Sequence, residues 1–410
     1  MSRLRGILGI AVLLAIAWAI SSNRRKIPWR IIVWGLGLQV VFAVLILKTT
    51  AGKMVFDVIR RGATKLISFS GEGASFMFGV LGKPGTQLNM LDASSEPVSF
   101  GFAVAFQVLP VIVFFSSLMA ILYHFGIMQK IVAVFAWVMR RTMKISGAES
   151  LAVAANIFVG NVASPLAVRP YLADMTTSEL AMVMTAGFAT VAGSVMAAYI
   201  GFGVDAGHLI AASVMSAPAA VVISKLIYPE TDTPKTMDGA KVTVDKETVN
   251  FIDAAATGAA QGLRIAAMVG AMLIAFLSLI ALVNYLLGFA HTSLGEIFGY
   301  VFSPIAWCMG VESGDMLAVG ELLGTKVTIN ELVGYLQLVA IKGQIGERSY
   351  LIATYALCGF ANFGSIAIAI GGIGGIAPSR RKDLARLGLR TMLGGALASW
   401  LTASIAGMMI

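Results

Sequence analysis

The sequence predicts an all-α integral membrane protein: eight transmembrane helices and two re-entrant helical hairpins in an inverted repeat, with interfacial helices beside them. Three observations predict it. Of 410 residues, 58% are apolar and only 12% are charged, with a mean hydropathy of +0.86; a soluble core of that size would need more charge on its surface. Apolar stretches near the bilayer-crossing length of about 20 residues recur along the chain. One order of elements also occurs twice. The 44 glycines fit this picture, because membrane helices use small residues to pack closely or to break.

Eight stretches read as spans: 7–21, 31–48, 101–123, 179–200, 206–226, 264–288, 351–376 and 384–409. The first is expected as a retained helix and not a cleaved leader, since Arg24-Arg25-Lys26 follow at once and a second apolar span opens at Ile31. Segment 52–68 carries Lys53, Arg60, Arg61 and Lys65 and is amphipathic, which suits an interface. Stretches 147–172 and 318–341 are apolar but interrupted, the first by Asn156, Asn161, Ser164 and Pro165, the second by Lys326, Asn330 and Glu331. A lipid-facing helix would carry these at high cost. Both are therefore expected as re-entrant hairpins buried in protein. Stretch 228–249, rich in both signs of charge, reads as a solvated connector.

Basic clusters orient the chain. With the N-terminus outside, Arg24-Arg25-Lys26 with Arg30, then Lys130, Arg140, Arg141 and Lys144, then Arg380-Arg381-Lys382, all fall inside, as cytoplasmic loops require. Both termini are then outside, and 228–249 is cytoplasmic. Gly187-Phe188-Ala189-Thr190 matches Gly359-Phe360-Ala361-Asn362, and Glu149-Ser150-Leu151 matches Glu321-Leu322-Leu323 at the same offset. Hairpin–span–span thus occurs at 147–226 and again at 318–410, with one span between, so the two units have opposite orientation. Inverted repeats with interrupted segments are a common transporter build, with the site where the repeats meet. The expected domains are 1–100 (N-terminal helices and interfacial segment), 101–146 (scaffold and interfacial helix), 147–226 (repeat one), 227–317 (polar loop and scaffold helix) and 318–410 (repeat two).

Glu331 beside Asn330 is the sharpest chemical feature. A carboxylate at mid-bilayer costs roughly 2.5–3.5 kcal/mol on insertion scales, so it persists with partners or a polar ligand. A carboxylate next to an amide can accept from and donate to vicinal hydroxyls, as on a ribose. A structural pair with Lys326 and a proton-coupling role are the other readings open to it. Asn362 and Ser365 share a helix face, with Gly359 and Gly364 to let the helix unwind; they suit either a cavity wall or polar contact between helices. In the first repeat, Asn156, Thr190 and Ser194 offer neutral oxygens which, with freed carbonyls, suit a small hard cation such as Na⁺. Glu149 is a lone acid of the kind a proton site would show; a salt bridge with Arg140 or Arg141 is the preferred reading. Asn161, in Gly160-Asn161-Val162-Ala163 at the expected tip, can read a base edge or cap a half-helix.

The net charge of +9 is dispersed in loops and does not point to nucleic acid. Cys308 and Cys358 lie in apolar sequence without a CxxC, so neither disulfide nor metal is expected. His124, His208 and His291 stand near span ends. No catalytic or phosphate-binding signature is present; neither an enzyme nor a cofactor is expected.

These residues resemble the concentrative nucleoside transporter family from about residue 7 to the end. Phe106-Gln107-Val108-Leu109-Pro110-Val111-Ile112-Val113-Phe114 is similar to its third-span signature. Gly147-Ala148-Glu149-Ser150 with Ala155-Asn156-Ile157-Phe158-Val159-Gly160 is similar to its first hairpin, and Asn330-Glu331 within 326–335 to its second. Cys358-Gly359-Phe360-Ala361-Asn362-Phe363-Gly364-Ser365-Ile366 is similar to its seventh-span motif, the most specific of the set. Arg169-Pro170-Tyr171-Leu172 and Ser303-Pro304-Ile305-Ala306-Trp307 add to the likeness.

The resemblance implies a homotrimer in a bacterial inner membrane that imports nucleosides with Na⁺ or H⁺. It implies that Glu331, Asn362 and Ser365 take ribose hydroxyls, with Phe360 close by; Asn330 is added as a substrate-binding residue by its place beside Glu331. It implies a Na⁺ site of Asn156, Val159, Thr190 and Val191, the Thr190 hydroxyl favouring Na⁺ over H⁺. One departure stands out. The family's first hairpin usually reads Gly-Gln-Thr-Glu, and this chain has Gly160-Asn161-Val162-Ala163. The ribose side is kept while the base side is rewritten, so altered base preference is expected.

Overall fold

The computed structural model describes residues 2–83, 87–91, 97–99, 103–237 and 248–410. Helices form where the apolar stretches lie. The chain opens with α1 (Ser2–Ala19) and α2 (Trp29–Leu47). Next comes α3 (Thr50–Phe78), capped by the Thr49 hydroxyl, which accepts from the Gly52 amide. It is amphipathic as expected and continues past the expected 52–68. A short antiparallel pair, β1 (Gln87–Leu91) and β2 (Pro97–Ser99), follows, the one departure from helix and loop among the named elements. The third path is stepped, α4 (Val104–Gln107) then α5 (Leu109–His124). The step at Val108 precedes Pro110, which lacks the amide an unbroken helix would use.

α6 (Ile127–Met143) buries Met128, Val132, Ala136, Met139 and Met143 at helical spacing and leaves Ile127, Val134 and Trp137 exposed. One face packs on protein; the other has the character of a membrane surface. Then come α7 (Gly147–Ala163), a 3₁₀ run Ser164–Asp174, α8 (Thr177–Ala189), α9 (Gly193–Gly201) and α10 (Ala206–Ile227). α11 (Phe251–Gly288) has 38 residues, roughly 57 Å at 1.5 Å per residue. It is followed by α12 (Leu294–Cys308), α13 (Met316–Thr328), α14 (Glu331–Ala340), α15 (Glu347–Leu357), α16 (Phe363–Ile376) and α17 (Arg381–Met409).

Among the described residues, six helical paths are long and apolar enough to cross a membrane: α2, α4–α5, α8–α9, α10, α11 and the path ending in α17. They form two layers. In α8–α9 and α10, 89% of the apolar window is buried, against 17% in α4–α5 and 11% in α11. The outer helices therefore present apolar side chains such as Ile274, Leu279 and Leu286, which only lipid or another chain can cover. The inner helices α8, α10 and α17 pack on one another and hold the core. Hairpin, broken span and unbroken span appear as α7 with its 3₁₀ arm, α8–α9 and α10, and again as α13–α14, α15–α16 and α17. The Glu149–Glu321 match does not survive at this level. Glu149 is the third residue of α7 and Glu321 the sixth of α13.

A buried polar knot ties three helix ends. Ser146 and Thr176 open α7 and α8 with capping boxes completed by Glu149 and Glu179. The Ser146 hydroxyl also donates to Glu179 Oε1 at 2.6 Å. Lys225, at the end of α10, ion-pairs with Glu149 and donates to Ser178 Oγ at 2.8 Å and Glu230 at 3.3 Å. The expected pairing of Glu149 with Arg140 or Arg141 is thus corrected. Those arginines lie in the last turn of α6, and the partner is Lys225, because a buried carboxylate needs a buried cation. Part of 228–249 is also more than a solvated connector. Thr236 is buried and accepts from Gly147 N at 2.8 Å and Ala148 N at 3.2 Å, so it serves two orphan amides of α7. Residues 238–247 of that stretch lie outside the described residues.

Candidate functional site

Asn330 and Asn362 each sit in extended backbone immediately before a half-helix and cap it. Asn330 Oδ1 accepts from Val333 N at 2.9 Å, opening α14, and Asn362 Oδ1 accepts from Ser365 N at 2.9 Å, opening α16. Capping fixes both amides, so Asn362 Nδ2 points back to donate to Glu331 Oε2 at 3.0 Å. The other carboxylate oxygen, Glu331 Oε1, accepts from the Tyr199 hydroxyl at 2.9 Å. Glu331 is the first residue of α14, where the helix dipole favours negative charge. A carboxylate has about four acceptor positions; these partners occupy two, leaving capacity for ligand hydroxyls.

The alternative pairing of Glu331 with Lys326 is not formed. Lys326 Nζ donates instead to the Ala356 carbonyl at 2.7 Å and the Cys358 carbonyl at 3.5 Å. Ser365 lies in the first turn of α16 and Asn362 is the extended residue that caps it, so the two meet as a cap and the amide it receives and not as an i, i+3 pair on one helix face. The break before it spans 358–362, with Gly359 at φ 130°. An added Cβ there would stand 2.7 Å from the Phe188 carbonyl oxygen, so only glycine fits this crossing.

Asn330, Glu331, Phe360, Asn362 and Ser365 line a cavity of about 610 Å³, and Asn161, Val159 and Ser194 line the same cavity from the first hairpin and α9. The break of one span thus faces the break of the other: Phe360 N donates to the Thr190 carbonyl at 3.4 Å. Gly160, at φ 75°, makes the tip of the first hairpin, and a Cβ on it would lie 2.7 Å from Ala192 Cβ. Asn161 lies against Gly187, whose added Cβ would meet Asn161 Cβ at 2.7 Å. The side chains of Val162 and Ala163 lie outside what is described.

The tip packs on the break at 190–192 through Gly160 against Ala192, and Asn156 Oδ1 lies 3.7 Å from the position of a Cβ on Gly187 in α8. Asn156 is fully buried. Its Nδ2 donates to the Ala152 carbonyl at 3.1 Å, while its Oδ1 has no hydrogen-bond partner. A buried acceptor left unpaired costs about 1–3 kcal/mol, so it marks a place where a cation would be stabilising. Thr190 Oγ donates to the Ala186 carbonyl at 2.8 Å, which leaves its own lone pairs free to accept. No cluster of His, Cys, Asp and Glu fit for a transition metal occurs among the described residues. The donors here are neutral oxygens, as Na⁺ prefers.

Tyr199 was not foreseen. It is fully buried, stacks on Tyr335 with ring centroids 4.5 Å apart and orients Glu331. A tyrosine inside an apolar span carries no sequence signal of that role. Arg264 and Gln261 of α11 also line the cavity; Arg264, at the edge of the expected span, was legible as a charge but not as a lining group.

Broken half-helices meeting around a largely apolar cavity with a few converging polar groups, within a helical membrane protein, are the build of a secondary transporter. Family profiles for the Na⁺ dependent nucleoside transporter match at 8–81 (N-terminus) and 208–407 (C-terminus), with a profile described as "nucleoside recognition" at 105–206. The chain belongs to this Na⁺ dependent nucleoside transporter family, a family of transporters and not enzymes. It is 44% identical to a Haemophilus influenzae protein described as an uncharacterized transporter, across 100% of this chain and 98% of that one. It is 41% identical to sodium/nucleoside cotransporter 1 of Mus musculus, across 98% of this chain and 63% of that protein. Among solved structures, CNTnw in an inward-facing substrate-bound state superposes with a TM-score of 0.91 at 40% identity, covering 100% of this chain and 98% of that one. A variant of CNTnw in an outward-facing state gives 0.93 at 40% identity, with the same coverage.

Proposed function

We propose that this protein imports nucleosides across the bacterial inner membrane, coupled to Na⁺, by alternating access. The observation that carries the reading is the Glu331–Asn362 pair, fixed by two helix caps and facing a cavity. Glu331, Asn362 and Ser365 take the ribose hydroxyls, with Asn330 and Phe360 beside them. Asn156 and Thr190 bind Na⁺ through side-chain oxygens, Val159 and Val191 through carbonyls. The unpaired Asn156 Oδ1 supports an ion there, and the Thr190 hydroxyl favours Na⁺; coupling to H⁺ is the alternative.

α1 and the broken α15–α16 complete eight crossings, the two units run in opposite senses, and the outer apolar faces suit a homotrimer. Tyr123, His124 and Thr248, at the end taken as cytoplasmic, line the same cavity as Glu331, which supports release to the inside. The family's first-hairpin groups are replaced by Asn161, Val162 and Ala163, so base preference shifts while ribose binding stays. A non-nucleoside solute in the same build is the runner-up that this departure motivates. Uptake into proteoliposomes under separately imposed Na⁺ and H⁺ gradients, with labelled uridine, adenosine, inosine and ribose, tests the reading. Uptake driven only by H⁺ would overturn Na⁺ coupling, and robust uridine preference would overturn the altered base preference. Failure of nucleosides to compete would overturn the substrate class.

A further inference from the structure

Lys326 is a fully buried cation outside the ribose cluster. It stands in α13 one helical turn before the tip of the second hairpin, as Asn156 stands in α7 one turn before Gly160. Each looks toward the end of the first half of a broken span. Lys326 Nζ donates to the carbonyls of Ala356, at 2.7 Å, and Cys358, at 3.5 Å, where α15 ends. Asn156 Oδ1 lies 3.7 Å from the position of a Cβ on Gly187, near the end of α8. Helix C-termini expose unpaired carbonyls and partial negative charge, so each of these places stabilises a cation.

The two repeats meet that need differently. In the second, the amino group of Lys326, supplied by the chain, already serves these carbonyls. Among the described residues it forms no ion pair with Glu331 or any other carboxylate, so its hydrogen bonds serve the helix end. In the first, the corresponding wall offers an unpaired Asn156 oxygen, and among the described residues no hydrogen bond or ion pair brings a side-chain cation to Asn156. Both a lysine ammonium and Na⁺ carry one positive charge and are satisfied by neutral oxygens.

We infer that Lys326 is a tethered cation doing for the second repeat what the coupling ion does for the first, so that one mobile cation per nucleoside completes the site. This rests on the ion-site reading above. Lys326 acts as a positioning residue: by holding the end of α15 it fixes the break that carries Phe360 and Asn362.

The test is uptake by Lys326→Ala in proteoliposomes, read against Na⁺, ethylammonium and choline at constant ionic strength. Loss of a charged hydrogen-bonding group predicts uptake lower by about tenfold or more. Ethylammonium or raised Na⁺ restores part of it, choline does not, and the Hill coefficient for Na⁺ rises from about one toward two. Lys326→Arg keeps most activity. A well-folded Lys326→Ala that no cation rescues, or one with unaltered uptake and Na⁺ dependence, overturns the inference. Where Lys326→Ala does not fold, thermal unfolding of Lys326→Gln gives the reading. Protection by Na⁺ or ethylammonium beyond that seen in the native protein supports the inference, and its absence overturns it. Native uptake indifferent to Na⁺ would remove the ion-site reading instead, while the ethylammonium arm still reads Lys326 on its own.

Discussion

Glu331 combines three protein devices: a helix N-terminus beneath it, the Tyr199 hydroxyl on one oxygen and the Asn362 amide on the other. These give both oxygens of a buried carboxyl group a partner, and the hydrogen bonds offset the cost of its burial. Glu331→Gln replaces one acceptor oxygen by a donor and removes the charge, which takes away acceptor positions for ligand hydroxyls and, where the NH₂ stands at the Oε2 position, opposes the Asn362 Nδ2 donor. Nucleoside uptake is expected to fall below detection, and radiolabelled uptake checks it; unchanged transport would refute the ribose role. Tyr199→Phe removes one donor and keeps the ring stacked on Tyr335. A hydrogen bond to a charged group is worth about 1.5–3 kcal/mol, so nucleoside affinity measured by calorimetry is expected to drop about tenfold or more while the protein still purifies intact.

The half-helix is the working element. Asn330 and Asn362 were legible as polar interruptions in apolar sequence, and Gly359 as a place where a helix could open. That both asparagines are caps was not legible, because capping depends on where the helix restarts. Gly160 carries the corresponding burden in the first hairpin, with φ 75° and Ala192 against its α-carbon. Gly160→Ala adds strain of order 1–3 kcal/mol and presses on the break beside Thr190. Na⁺-dependent uptake is expected to fall at least tenfold, read as a raised Na⁺ requirement in uptake assays.

For the whole molecule, the proposed coupling cation and the buried knot make predictions about stability. Binding of Na⁺ to the folded state alone stabilises by RT ln(1 + [Na⁺]/Kd), about 1.4 kcal/mol at ten times Kd. The melting temperature in detergent is expected to rise with NaCl over choline chloride for the native protein, and not for Asn156→Ala. In the knot, Lys225→Met leaves Glu149 buried without its cation, a change that costs about 3–5 kcal/mol. Adding Glu149→Gln should recover part of the lost melting temperature. No recovery in the double variant would show that the pair is not coupled.

The sequence by itself determined the solvent of this protein, its broken elements and the residues that interrupt them. Charge is rare, apolar stretches have crossing length, and Glu331, Lys326 and Asn156 are too costly in lipid to be incidental, so their embedding was readable from composition and spacing. Only the tertiary structure decided who meets whom. Glu149 took Lys225 and not a neighbouring arginine, Lys326 took carbonyls and not Glu331, and Tyr199 came from 132 residues away to Glu331. Such pairings are set by which helix ends the packed core brings together, and a linear chain of apolar residues carries almost no record of that.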